Sequence, residues 1–297
     1  MKKEIFIYKD EKCHTAYDIS VMPEERLVSL YNFLDMNYEI AEISEIVTEE
    51  LLQEIHSKEH VENAKVIGQV SRETITNKNS FNCAILSANA CISALNSVMH
   101  SNKNAFIAMQ PAGHHAESNR ITGYCLFNNV ALIAKYAINN YDLNRIFIFD
   151  FDVHHGNGTQ EIFYDSNKVL FADIHRSPFY PGSGNKDEIG VGVGEGFTVN
   201  FPVPLFTGDE TYIDLTNKIM DIAIQFNPEL IIVSGGLDIL QSDPVGDMKV
   251  TPTGISEIMK RIMMLSKNTS AKVIFHLEGG YCPESILSGC IPILNNL

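Results

Sequence analysis

Ten residues, Asp150-Phe-Asp-Val-His-His-Gly-Asn-Gly-Thr159, directly follow the apolar run Ile146-Phe-Ile-Phe149, and few folds tolerate that succession. Four large apolar residues in a row read as a strand covered on both faces, as in a parallel sheet. If the chain stays extended, Asp150, Asp152 and His154 point to one face, because side chains alternate along a strand. Two carboxylates and an imidazole leaving the end of a buried strand are costly unless something positive compensates them, and a divalent cation is the simplest compensation. A helix cap ahead of Thr159–Tyr164 accounts for one aspartate but not for all three side chains.

The pattern of apolar strand, polar turn and helix recurs along the chain. Ala105–Met109 leads into Pro111-Ala-Gly-His114-His115, Val169–Ala172 into Asp173-Ile-His175, Leu230–Val233 into Ser234-Gly-Gly-Leu-Asp238, and Lys272–Phe275 into His276-Leu-Glu-Gly-Gly-Tyr281. A first strand is expected over residues 4–8 and amphipathic helices from about Pro23, from Thr48, from Ser80 (as cap) to Met99, and near 129–139, 209–226 and 254–266. Alternation of this kind predicts an α/β fold with a mainly parallel sheet between two helical layers. Pro181–Gly196 reads as one long irregular loop; Gly190-Val-Gly-Val-Gly194 opens no helix and is no nucleotide loop. His56 and His60, four apart with no acidic or sulfur partner nearby, read as surface or helix-end residues.

Charge and cysteine usage narrow the partners. With 37 Asp and Glu against 22 Lys and Arg the net charge is -15, which argues against nucleic acid and suits a cationic substrate. The start, Met1 to Asp10, is too short and too charged in its apolar part for a signal peptide or a spanning helix. Six cysteines without a Cys-x-x-Cys pair suit neither a disulfide framework nor a thiolate zinc site. A single cytoplasmic domain over residues 1–297 is expected, with no membrane partner; the sequence leaves oligomerisation open.

In open parallel sheets ligands bind beyond the carboxyl ends of the strands. Four strand ends here carry His114 and His115, Asp150 to His154, Asp238, and Tyr281. If those strands are neighbours the groups converge. Asp152, His154 and Asp238 then offer one nitrogen and two oxygens with an open position, a donor set that suits catalytic zinc or ferrous iron. The paired histidines supply proton transfer, one facing the water and the other backed by a carboxylate.

Gln110-Pro-Ala-Gly-His-His-Ala116, Gly123-Tyr-Cys-Leu-Phe-Asn-Asn129, Asp150 to Thr159, Phe179-Tyr-Pro-Gly182, Ser234 to Asp238 and Glu278-Gly-Gly-Tyr281 together resemble the zinc-dependent histone deacetylase family, which includes acetylpolyamine amidohydrolases and acetoin utilisation proteins. The likeness runs from Pro23-Glu-Glu-Arg26 to Tyr281. It implies a single-domain arginase/deacetylase fold with an eight-stranded parallel sheet, and hydrolysis of an amide between a short acyl group and an amine such as acyl-lysine or a polyamine. By motif position Asp152, His154 and Asp238 hold the metal and His115 is the general base. His114, backed by Asp150, is an electrostatic partner, Tyr281 is the oxyanion donor, and the Gly123 carbonyl accepts from the amide N–H. Tyr124 and Tyr180 flank the tunnel, and Glu73 falls near the usual rim aspartate. A structural potassium site uses Asp150, Asp152, His154, Asp173 and Ile174, and a second uses Phe163, Ser166 and Val169.

Departures from the family pattern bear on substrate and rate. Asn157 replaces an aspartate behind the second histidine, as in the class II branch, and a neutral partner leaves His115 less basic. Val245 stands where a polyamine-selective branch carries glutamate. Two other readings compete: a binuclear manganese ureohydrolase, prompted by Asp238 and Ser242-Asp-Pro244, and an inactive acyl-lysine binding module.

Overall fold

The computed structural model describes residues 5–17 and 24–297. Its strands are β1 (Ile5–Lys9), a short hairpin of β2 (Gly68–Gln69) and β3 (Ile75–Thr76), β4 (Asn104–Ala108), β5 (Ile146–Asp150), β6 (Val169–Arg176), β7 (Thr198–Val203), β8 (Leu230–Gly235) and β9 (Lys272–Leu277). All but the hairpin form one seven-stranded parallel sheet in the order β1-β4-β9-β8-β5-β6-β7.

The central strands β5 and β8 open on unbroken apolar runs because they feed two cores. On β5, Phe147 and Phe149 face one cluster while Ile146 and Ile148 face the other, and β8 splits Ile231 and Val233 from Leu230 and Ile232 in the same way. One helical layer comprises α1 (Val28–Asn37), α7 (Asp209–Phe226), α8 (Pro252–Thr269) and α9 (Pro283–Asn296). The other is built on α4 (Ser80–Met99) and α5 (Asn129–Tyr141), with the shorter α2 (Glu49–Leu52), α3 (Lys58–Ala64) and α6 (Asn157–Phe163) beside them. Among the described residues α4 is the one helix long and apolar enough to cross a membrane. Its apolarity has a local cause, since Ala84, Ala88, Cys91, Leu95 and Val98 are buried in the second core.

Among the described residues the sheet has seven strands where eight are expected, and beyond the β1 edge only a single bridge forms. There Ile40 pairs in parallel with Ile7, and the Ala41 N–H donates to the Ile7 carbonyl at 2.8 Å. From there α4 side chains take the backbone donors: Ser44 and Glu45 N–H donate to Ser93 Oγ at 3.1 and 3.0 Å, and Val47 N–H to Asn89 Oδ1 at 2.7 Å. With three of its N–H groups committed to a helix, that segment runs no regular ladder. β7 and α9 escape the sequence pattern because of Pro202 and Pro292, residues tolerated on an edge strand and at a local break in a helix. Ser80 is the first helical residue, not the cap; its Oγ accepts from Asn77 N–H at 2.8 Å and donates to the Ala16 carbonyl at 2.5 Å. The helix expected from about Pro23 is seen as a tight turn, Glu24–Leu27, leading into α1; Pro23 itself, with the first residue of the expected strand over 4–8, lies outside the described residues.

The neighbours β4, β9, β8 and β5 fill the middle of the sheet. These are the four strands whose following turns carry the residues singled out above.

Candidate active site

β5 ends at Asp150, and the chain does not continue extended as the alternation argument required. Asp150 Oδ1 accepts from Asp152 N–H at 3.0 Å, and Asp152 Oδ1 accepts from His154 N–H at 2.9 Å. Two successive aspartate turns of this kind coil the segment back on itself. They, rather than strand alternation, set His154 Nδ1 3.0 Å from Asp152 Oδ1 and 3.4 Å from Asp238 Oδ2. One ligand atom from each of Asp152, His154 and Asp238 lies within 4.8 Å of the others, and all three residues are buried. Asp152 Oδ2 accepts from Gly279 N–H at 2.7 Å, and Asp238 Oδ1 from Val153 N–H at 2.9 Å. Asp238 Oδ2 is buried without a hydrogen-bond partner. Glycine is required at 279, because a Cβ there would overlap both carboxylates.

The electrostatics fit a cation. Burial first, and the Asp152 charge second, push the Asp238 carboxyl up to about 7; burial does the same to Asp150. Burial also opposes the charge on Asp152, but the His114 and His154 rings overcome it and hold that carboxyl below its usual range. An orphaned carboxylate oxygen beside an imidazole nitrogen and a second carboxylate is a donor set for a divalent ion of the zinc or ferrous type.

His114 and His115 follow β4 on a loop pinned from below. Gly113 and His114 N–H groups donate to Glu278 Oε2 at 2.7 and 3.2 Å, and Glu278 Oε1 accepts from His276 Nδ1 at 2.9 Å. The two rings do not point apart; they lie against each other with centroids 4.0 Å apart, and only their Nδ1 atoms engage different partners. His114 Nδ1 donates to Asp150 Oδ2 at 3.0 Å, whereas His115 Nδ1 is 2.7 Å from Asn157 Oδ1. Although burial opposes it, the Asp150 and Asp152 carboxylates raise His114 well above the ordinary imidazole range. Burial and the neighbouring His114 and His154 rings push His115 well below it. Such a pair can divide the labour of proton transfer, one ring free to accept a proton and the other held charged.

A cavity of about 200 Å³ is lined by Glu73, His115, Gly123, Tyr124, His154, Tyr180, Val245 and Tyr281. Gly123 has φ +55, and a Cβ there would overlap the His115 ring, so no other residue fits. Tyr180 stands edge-on to His115 with ring centroids 5.1 Å apart. Its hydroxyl donates to Glu73 Oε1 at 2.7 Å, the same oxygen that accepts Gly123 N–H at 2.9 Å. Glu73 is thus part of the cavity wall. Tyr281 N–H donates to Asp243 Oδ2 at 2.7 Å, and buried Arg26 ties down the loop before it, donating to the carbonyls of Gly280 (2.6 Å) and Glu278.

The remaining predicted positions are placed as follows. Asp173 pairs with Asp150 across β5 and β6, but both of its oxygens are engaged, accepting His175 Nδ1 and Gly156 N–H, each at 2.8 Å. Ile174 follows it in β6. Phe163 and Ser166 share one turn, with Ser166 N–H donating to the Phe163 carbonyl at 3.0 Å just ahead of Val169. His56 and His60 are not surface residues. Both are buried and stacked, centroids 4.1 Å apart; His56 contacts the Glu117 carbonyl through Nδ1 and accepts Asn128 N–H, and His60 contacts the Leu126 carbonyl through Nε2. The loop that covers them comes from residues 117–128, far along the chain. Sequence reasoning also missed roles for Glu278, Arg26 and Phe179, whose ring stacks on His154 at 5.0 Å.

Residues 20–296 match the family described as the histone deacetylase domain. The chain belongs to the histone deacetylase family. Among curated relatives of this deacetylase-family chain, the "Probable deacetylase" of Archaeoglobus fulgidus is 37% identical over 249 residues, 82% of this chain and 68% of that protein. Histone deacetylase HDA1 of Candida albicans is 37% identical over 274 residues, 84% of this chain but 32% of the relative, so the chain spans about a third of that protein's length. A solved structure described as the crystal structure of the HDA15 HD domain superposes with a TM-score of 0.91 at 30% identity, covering 99% of this chain and 88% of the other. Family membership makes this a hydrolase of acetylated amides.

Proposed function

We propose that this protein is a zinc-dependent deacylase, one catalytic domain that removes a short acyl group, acetyl first, from N-acyl-lysine or a similar acylated amine in the cytoplasm. The observation that carries the reading is the unpartnered Asp238 Oδ2, beside His154 Nδ1, in a site whose cavity is also lined by a neutral His115 and by Tyr281. Six free cysteines suit a reducing compartment.

Asp152, His154 and Asp238 would hold the ion, which when bound polarises an acyl carbonyl and lowers the pKa of water to ~7. His115, already neutral, takes the proton from the attacking water and returns it to the leaving amine. His114 keeps its proton against Asp150 and stabilises the negative charge that develops nearby. The Tyr281 hydroxyl donates to the carbonyl oxygen as it becomes an oxyanion, and the Gly123 carbonyl accepts the substrate N–H. Tyr124 and Tyr180 confine the alkyl arm, and Glu73 faces a donor or cation at the mouth. Monovalent ions of the potassium type would sit beside Asp150 to His154 and Asp173–Ile174, and near Phe163, Ser166 and Val169. The lone imidazole and two carboxylates favour one catalytic ion over the binuclear alternative, since His155 and Gly156 follow where bridging carboxylates would be needed.

The experiment is a panel of acetyl-, propionyl- and butyryl-lysine peptides and acetylated polyamines, offered to zinc-loaded protein. Cleavage of acyl-lysine is the expected result; cleavage of polyamines alone would assign a small-molecule amidohydrolase, and acyl-lysine binding without turnover would revive the binding-module reading. His115→Ala is expected to abolish turnover at unchanged zinc content. Loss of zinc in that variant would mean that a ligand has been mistaken for a base.

A further inference from the structure

His115 is backed by an amide, and an amide, unlike a carboxylate, can face an imidazole in two ways. Through Oδ1 it accepts from Nδ1–H and leaves Nε2 free to take a proton; through Nδ2 it donates to Nδ1 and drives the proton onto Nε2, which then has no acceptor capacity. Something must choose. The Asn157 Nδ2 donates to Glu117 Oε1 at 2.7 Å, opposite the 2.7 Å contact between Oδ1 and His115 Nδ1, and only at 3.4 Å to the His115 carbonyl, so Glu117 is its main acceptor. Glu117 is itself held by Arg120, whose Nε and terminal nitrogen donate to its two oxygens at 3.0 and 2.6 Å. An ion-paired carboxylate only accepts, so the atom facing it must be the amide nitrogen.

We infer that Glu117 is the positioning residue that fixes the Asn157 amide, and through it the tautomer of His115. The inference rests on His115 as the general base. Its polarity also has a consequence: a charge at Glu117 strengthens Oδ1 as an acceptor through the shared amide, restoring part of the basicity lost when asparagine stands in for aspartate. Glu117 reaches none of the cavity-lining groups of the substrate tunnel and borders a separate cavity with Arg120, Asn157 and Gln160, so its effect is expected in kcat and not in KM.

Glu117→Gln presents a group that donates as well as accepts, so only the long 3.4 Å contact of Nδ2 with the His115 carbonyl still favours one orientation of the amide. The expected result is about a 10- to 100-fold fall in kcat, part of the ~100- to 10,000-fold that a positioned base supplies, with KM, zinc content and melting temperature unchanged. The Asn157→Asp background discriminates positioning from packing. There the carboxylate behind His115 needs no orienting and is repelled by Glu117, so adding Glu117→Gln should raise kcat; an equal loss in both backgrounds would overturn the inference. Nitrogen-15 NMR of labelled histidines, with His115→Ala to assign the signal, reads the tautomer without any turnover. The parent should carry its proton on Nδ1 and Glu117→Gln should show a mixture. A parent protonated on Nε2, or a variant indistinguishable from it, would contradict the inference even if a substrate is cleaved, whereas a correct tautomer in a protein inactive on the whole panel would count only against the proposed reaction.

Discussion

Asp238→Asn is expected to abolish turnover and zinc binding while leaving the fold intact. The amide keeps Oδ1, which accepts the Val153 N–H at 2.9 Å, so the β8 turn retains its anchor. What is removed is the charge on Oδ2, the one buried oxygen of the triad without a hydrogen-bond partner, with His154 Nδ1 3.4 Å away. Outer-sphere changes at metal sites typically cost ~10- to 100-fold in metal affinity or activity, and loss of a direct ligand charge should exceed that. Burial already disfavours this carboxylate, whose pKa is pushed up to about 7; removing a buried charge that lacks compensation should make the metal-free variant at least as stable as the metal-free parent. Saturating zinc should therefore raise the melting temperature of the parent, by preferential binding to the folded state, and not that of the variant. Elemental analysis and thermal melts check both halves, and a variant that still binds zinc tightly and turns over would remove Asp238 from the ligand set.

Tyr281→Phe should lower turnover by roughly 100- to 1,000-fold, equivalent to ~3 to 4 kcal/mol for one donor aimed at an oxyanion. The ring stays, so packing and the backbone bond to Asp243 at 2.7 Å persist, and zinc content and substrate binding should barely change. The donor matters mainly as charge grows on the acyl oxygen, which is why the loss falls on kcat. Burial first, then the Asp238 and Asp152 charges, hold the Tyr281 phenol well above its ordinary pKa, so it stays protonated as a donor must. A trifluoroacetyl-lysine substrate, whose carbonyl is already electrophilic, should suffer less than acetyl-lysine. Near-full turnover, or equal losses on both substrates, would leave Tyr281 a packing residue.

The sheet was legible because its central strands are buried on both faces: the unbroken runs Ile146–Phe149 and Leu230–Val233 can serve two cores at once. The edges were uneven, since β1 was legible over residues 4–8 and β7 was not. β7 is only half buried and contains Pro202, and beyond β1 Ser93 and Asn89 capture backbone N–H groups of residues 44–47. Within the site, Asp152, His154, Asp238, His115 and Tyr281 could be nominated because each follows a readable strand. The physical reason given for the first three was incomplete, since local side chain to backbone turns gather them and extended alternation does not. Residues that act through distant partners left no local signal: Glu278 under the His114 backbone, Arg26 under the Tyr281 loop, and Glu117 behind Asn157. His56 and His60 misled for the same reason, because i, i+4 spacing fixes a shared face but not what later folds over it.

The proposed amide hydrolysis requires one catalytic ion held by Asp152, His154 and Asp238. Protein stripped by a chelator and titrated with zinc, with acetyl-lysine cleavage followed at each addition, tests it most directly. Activity should be absent at the start and rise to a break at about one equivalent per chain. A break near two equivalents would favour the binuclear ureohydrolase chemistry, and full activity in the stripped protein would contradict the account.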